Sequence, residues 1–187
     1  MNEYFISGIQ KLEYAPASAV GVVLEADWKT IENITEQSVK YTETALTKNS
    51  IYAEDKKHPV FNTYNNAEGD VLTLGVLSLN PTLEQALYEV DYTPLTSTMD
   101  YVADKKIANL AFRITSNPAN GRKVVRTYFN TEVQTVTDGN QTKNDVEKRV
   151  LTATLSTYRP AGKTKDYVYR RQVVMADGTI IDSTENP

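Results

Sequence analysis

IANLAFRITSNPANGRKVVRTYFNTEVQTV, residues 107–136, decides the fold class. Ala108, Leu110, Phe112 and Ile114 fall on one face and Asn109, Arg113 and Thr115 on the other, the period-two pattern of a half-buried strand. The turn SNPANG, residues 116–121, supplies Asn, Pro and Gly before a second run. There Val125, Phe129 and Val133 alternate with Arg126, Tyr128, Asn130 and Glu132, so the two runs read as a hairpin. TDGNQTKND, residues 137–145, is the next turn, and residues 147–160 set Leu151, Ala153 and Leu155 against Thr152, Thr154 and Ser156. A meander results. DYVYRRQVVM (166–175), Ala176-Asp177-Gly178 and TIID read as a last hairpin, and STENP as a flexible C-terminal tail.

Upstream the pattern continues. SGIQKLEY, residues 7–14, alternates loosely and ends at Ala15-Pro16, a first strand. AVGVVLEADW, residues 19–28, reads as a short apolar strand. From about Thr35 a further strand places Val39, Tyr41 and Ala45 on one side and Glu36, Ser38, Lys40, Thr42 and Thr44 on the other. Asp70 to Leu79 is strongly apolar and is followed by Asn80-Pro81, a good N-cap and a residue suited to the first helical position. Leu83, Ala86, Leu87 and Val90 then form one stripe, so a short helix ending near Glu89 is expected to lie on the sheet. Residues 91–106 read as polar loop. Residues 47–69 break every periodicity, and a loop that long inside a domain is usually functional.

Composition agrees with a β-rich subunit. Twelve Tyr against four Phe and one Trp, with Thr throughout, favour strands whose outer faces stay wet. The 187 residues suit one domain, 1–187, and 20 basic against 24 acidic side chains give no clustered basic footprint for nucleic acid. There is no Cys, which excludes disulfides and thiolate metal sites. No stretch approaches the ~20 apolar residues of a membrane span, and the N-terminus lacks a basic start with an apolar run. Neither a membrane anchor nor secretion is expected.

Catalytic chemistry finds little to work with. His58 is the one histidine; with Glu54 and Asp55 it reads as a solvated loop rather than a metal or acid/base cluster. No GxSxG, P-loop, HExxH or GxGxxG pattern occurs, and the single Trp28 gives little support for a glycosidase groove. Asn33-Ile34-Thr35 and Asn140-Gln141-Thr142 match the glycosylation sequon, which carries little weight without a secretion signal. The expectation is a protein that is not an enzyme and has no cofactor.

Four segments occur in a telling order: Gly8 to Ala15 (GIQKLEYA), Tyr52 to Asp55 (YAED), Asn120 to Asn130 (NGRKVVRTYFN) and Thr152 to Pro160. In that order the chain resembles the major tail protein family of siphophages. The resemblance implies a mainly β fold, a β-sandwich or half-barrel with one short flanking α-helix and a long β-hairpin loop, the phage tail tube fold. It also implies a structural role: homo-oligomeric hexameric rings stacked into a tube, assembled in the host bacterial cytoplasm and carried in the virion. DNA would pass through without specific binding, and a tape-measure protein and a tail terminator would be partners.

On that resemblance Glu36, Ser38, Lys40, Thr42 and Thr44 are candidates for the lumen face. The 47–69 segment becomes an interaction loop anchored by Tyr52, Val60, Phe61 and Tyr64, since aromatic residues in a polar arm suit interface hot spots. The tube protein of a contractile tail or injection system, and a β-sandwich binding module of a virion or cell surface, are the competing expectations.

Overall fold

A computed structural model describes residues 7–52, 54, 57–59, 61–65, 69–77, 81–103, 106–138 and 148–180. Among the described residues, twelve strands form antiparallel sheets beside one α-helix and one 3-10 turn. The main sheet runs in the order β2 (Lys29–Ile31), β1 (Ser7–Pro16), β9 (Ala108–Asn117), β10 (Arg122–Asp138), β11 (Arg149–Leu155), β6 (Val71–Val76) and β3 (Ile34–Thr42). β12 (Arg170–Met175) also pairs with β10. Two small sheets stand apart, β4 (Thr47–Ile51) with β5 (Phe61–Asn65) and β7 (Val90–Thr93) with β8 (Thr98–Tyr101).

β10 organises the sheet because it is long enough to serve several neighbours. β9 lies along one edge, pairing from Val125 to Val133. The other edge is shared: β12 takes Arg122–Thr127 and β11 takes Thr131–Asp138. Between Tyr128 and Thr131 an extra residue enters β10, a bulge that increases local twist and inverts which residues face the core. Before it Val124 and Tyr128 are buried, and after it Thr131 and Val133 are. The Thr131 hydroxyl donates to the Leu110 carbonyl at 2.8 Å, which satisfies a polar group that is 0% exposed.

The twist rolls the sheet. β3 and β10 are three steps apart in strand order, so their rings would be roughly 14 Å apart on a flat sheet at ~4.8 Å per step. Instead the centroids of Tyr41 and Tyr128 are 6.1 Å apart, and Tyr169 sits 5.6 Å from the first and 5.5 Å from the second. Val39 of β3 likewise faces Ile9, Ile114 and Val124 across a cavity of about 120 Å³. One contiguous core follows, from Leu12 and Phe112 through Leu151 to Leu72 and Leu74. The roll stays open: among the described residues the end strands β2 and β3 do not pair with each other.

The helix α1 spans Pro81–Leu87 and buries Leu83 and Leu87, with Pro81 at its first position as expected. Val90 starts β7 instead of completing the stripe. Asn80, the expected cap, lies outside the described residues. Arg149 of β11 donates to Glu84 at 2.7 Å and ties the helix to the sheet.

Several expectations are corrected. Residues 19–28 form no strand, because the chain turns at Gly21 (φ +68°) and then makes a 3-10 turn at Glu25–Asp27. A Cβ on Gly21 would lie 2.4 Å from the Tyr158 ring, so only glycine fits there. Residues 91–106 are not simply loop but contain the β7–β8 hairpin, whose four-residue strands are too short to show periodicity. Tyr128 faces the core rather than solvent, at 1% exposure, because the bulge shifts the phase of β10. Of the final hairpin the described residues show a bridge between Val174 and Ile180, with residues 181–187 outside them, and β12 joins the main sheet through β10.

Phe112 is fully buried at the centre of β9. Phe112→Ala is expected to lower unfolding free energy by about 3–5 kcal/mol, measured by urea denaturation, through lost transfer energy and an unfilled cavity.

Candidate functional site

Among the described residues, the strands between Ile34 and Val76 nest as one long hairpin. Its base is β3 on β6, with Val39 opposite Leu74 and Tyr41 opposite Leu72. Beyond the base, β4 and β5 continue the pairing from Thr47↔Asn65 to Ile51↔Phe61 and leave the main sheet. Sequence periodicity is silent here for a physical reason: a two-stranded ribbon outside the main sheet, with Lys48, Asn49, Ile51, Phe61 and Asn62 exposed, needs no apolar alternation.

A latch marks where the ribbon departs. The Tyr41 hydroxyl donates to Asp70 Oδ2 at 2.5 Å, and the Thr44 N–H donates to Asp70 Oδ1 at 3.0 Å. The Thr44 hydroxyl donates to the Gly69 carbonyl at 2.9 Å. Burial, then the Asp70 hydrogen bond and charge, push the Tyr41 hydroxyl well above the ordinary phenol range. It therefore remains a donor at any physiological pH.

The ribbon's far end presents apolar surface. Ile51, Tyr52 and Phe61 are each 59% exposed, and Ile51 and Phe61 sit opposite one another in register. Sequence reasoning named Tyr52 and Phe61 and missed Ile51, whose cross-strand partner only the pairing reveals. Tyr64 lies in β5 opposite Lys48, and Val60 falls outside the described residues. His58 and Glu54 are exposed, and among the described residues no acidic or histidine cluster could hold a metal.

The five polar positions fall on two elements. Glu36, Ser38, Lys40 and Thr42 belong to β3, and Thr44 lies just beyond it in the latch. Lys40 and Thr42 are exposed. Register aligns Lys40 with Thr73 and Thr73 with Thr152, a polar row across three strands on the face opposite Leu72 and Leu151.

A second surface was not legible. The outer face of β1, β9, β10 and β12 floors a groove of about 610 Å³, walled by the Gly21–Trp28 segment and by Gly178 and Ile180. Ser18 fixes that wall: its N–H donates to the Phe129 carbonyl at 2.7 Å and its hydroxyl accepts from Val22 N–H at 3.1 Å.

Arg113 is the hub of the groove. Its guanidinium meets Glu13 at 2.7 and 3.0 Å and Glu25 at 2.7 and 2.7 Å, with the Trp28 ring centroid 4.5 Å from Cζ. Glu13 lies directly opposite Arg113 in the β1–β9 register and is 3% exposed. Burial pushes the Glu13 carboxyl up, but Arg113 and Lys11 outweigh it and hold it below its ordinary 4.5. Glu25 is also lowered, chiefly by its Arg113 hydrogen bond. Further along, Arg170 stacks over Phe129 at 4.7 Å and donates to the Gly21 carbonyl at 3.4 Å.

Glu13 ionises more readily in the folded chain than in the unfolded one, so its contribution to stability is full above pH 4.5 and is lost as pH falls through its lower folded value. Arg113→Met leaves a buried carboxylate with only Lys11 and is expected to cost about 3 kcal/mol at neutral pH. The same variant should lose stability less steeply than the parent between about pH 5 and pH 3, read from urea midpoints.

No family model matches the chain, and no curated protein is similar to it.

Proposed function

We propose that the chain is a structural subunit of a bacteriophage tail tube, assembling into stacked hexameric rings that form the channel for DNA ejection. The observation that carries this reading is the β4–β5 ribbon, which leaves the main sheet and displays Ile51, Tyr52 and Phe61 to solvent. A two-stranded ribbon outside the main sheet gains little by itself, and apolar side chains at its end are best explained by burial on another subunit. The order of GIQKLEYA, YAED and NGRKVVRTYFN, similar to that of siphophage major tail proteins, points the same way.

Two further features fit. The end strand β3 has one edge on β6 and leaves the other unpaired among the described residues, a template for a strand from a neighbouring copy. Pairing around a ring would remove that edge. The row Lys40, Thr73 and Thr152 would then face the channel, and a wall dominated by hydroxyls would release phosphates that a lattice of Lys and Arg would retain. A tape-measure protein and a tail terminator would be the partners, and the virion the destination. The chain would act without catalysis or cofactor.

Deleting residues 50–64 removes the far end of a ribbon that pairs only with itself, so the main sheet should fold as before, with an unchanged circular-dichroism melt. The deletion is expected to abolish tubes in negative-stain micrographs. Normal tubes from the deleted chain would overturn the assignment.

A further inference from the structure

Two surfaces outside the ribbon are complementary to each other. The β7–β8 hairpin places Asp91 directly opposite Asp100, both exposed, and like charges in that position repel. Among the described residues neither forms an ion pair. At the tip, Leu95 is 96% exposed, more than any other large apolar side chain described. This hairpin shows acid along one face and an apolar point at its end.

The outer groove shows the reverse. Four basic side chains, Lys11, Arg113, Lys123 and Arg170, line it against two carboxylates, Glu13 and Glu25, although the whole chain carries a net charge of −4. Arg113 and Lys11 are engaged by Glu13 and Glu25, and Lys123 is answered in part by nearby Asp177. Arg170 forms no ion pair among the described residues. Beside it Val22 and Val125 provide apolar wall and floor, with Phe129 buried beneath the Arg170 guanidinium.

We propose that the β7–β8 hairpin of one copy seats in the outer groove of a second copy, with Leu95 against Val22 and Val125 and the Asp91–Asp100 pair facing Arg170 and Lys123. The hairpin cannot occupy its own groove. Tyr101 and Val102 pack beside Val133 and Val136 at one end of β10, whereas the groove lies over Lys123 to Phe129. From Val125 to Val136 along an extended strand is roughly 36 Å at ~3.3 Å per residue. The contact therefore joins unlike surfaces head to tail, which propagates into a closed ring or a helical stack. It goes beyond the tail-tube reading and stands on different residues.

The absence of native Cys makes a direct test available. Leu95→Cys and Val22→Cys, both at exposed sites, are mixed as full-length single variants and oxidised, and the heterodimer is measured on non-reducing gels. Leu95→Cys mixed with Leu46→Cys, exposed at the base of the ribbon, is the control. The expected heterodimer yield is at least about tenfold above control, falling to control when Asp100→Lys is added to the Leu95 partner and recovering when Arg170→Glu is added to the Val22 partner, as paired charge reversal requires. A yield at control level, or one that Asp100→Lys leaves unchanged, would overturn the proposal. Because the readout is a crosslink in soluble protein, it is independent of whether tubes form.

Discussion

The sharing of β10 is the constraint on which the rest of the structure depends. A strand of seventeen residues pairs with β9 on one side and divides its other side between β12 and β11. The two register shifts that accompany this division, near Asn130 against β9 and near Gln134 against β11, each insert a residue and sharpen the twist. That twist brings Tyr41 over Tyr128 and lets the two ends of the sheet enclose one core. Without it β3 would lie too far from β9 and β1 for Val39 to reach Ile114.

The same roll gives the molecule two different outer surfaces. On the β3–β6–β11 side the sheet carries threonines and a lysine in register, and the paired strands continue outward as the β4–β5 ribbon. On the β1–β9–β10–β12 side it carries the groove, held by the Glu13–Arg113–Glu25 network. Arg113 suits that position because its planar fork can serve two carboxylates and an aromatic face at once, which a lysine could not. Distinct surfaces on distinct sides, an edge of β3 left unpaired among the described residues and an emergent ribbon are the features that repeated contact with copies of the chain would use. That is the physical content of the tail-tube proposal.

Most of the main sheet was legible in the sequence, and the reasons differ by strand. β9, β11 and β6 bury one face against the core, so Ala108 to Ile114, Leu151 to Leu155 and Leu72 to Val76 print their burial as alternation or apolar runs. The helix announced itself through Pro81 and the Leu83–Leu87 spacing. What failed did so where local pattern and tertiary context part. A bulge moved Tyr128 to the inner face, which no count of alternating residues reveals. The apolar run at 19–28 became a wall because Gly21 and the 3-10 turn bend it, leaving Val20, Val22 and Leu24 exposed. Of the candidate site, Tyr52 and Phe61 stood out by their chemistry within a polar segment, and both are exposed in the structure. Ile51 and the groove residues depend on cross-strand partners such as Glu13 and Arg113, a hundred residues apart, which only strand pairing brings together.

A tail tube subunit must assemble with copies of itself into tubes. Size-exclusion chromatography of the purified full-length chain across rising concentration, followed by negative-stain electron microscopy of the fractions, tests that most directly. Rings or tubes of uniform diameter, growing in proportion with concentration, are the predicted result. A species that elutes and images as a monomer at every concentration would contradict it.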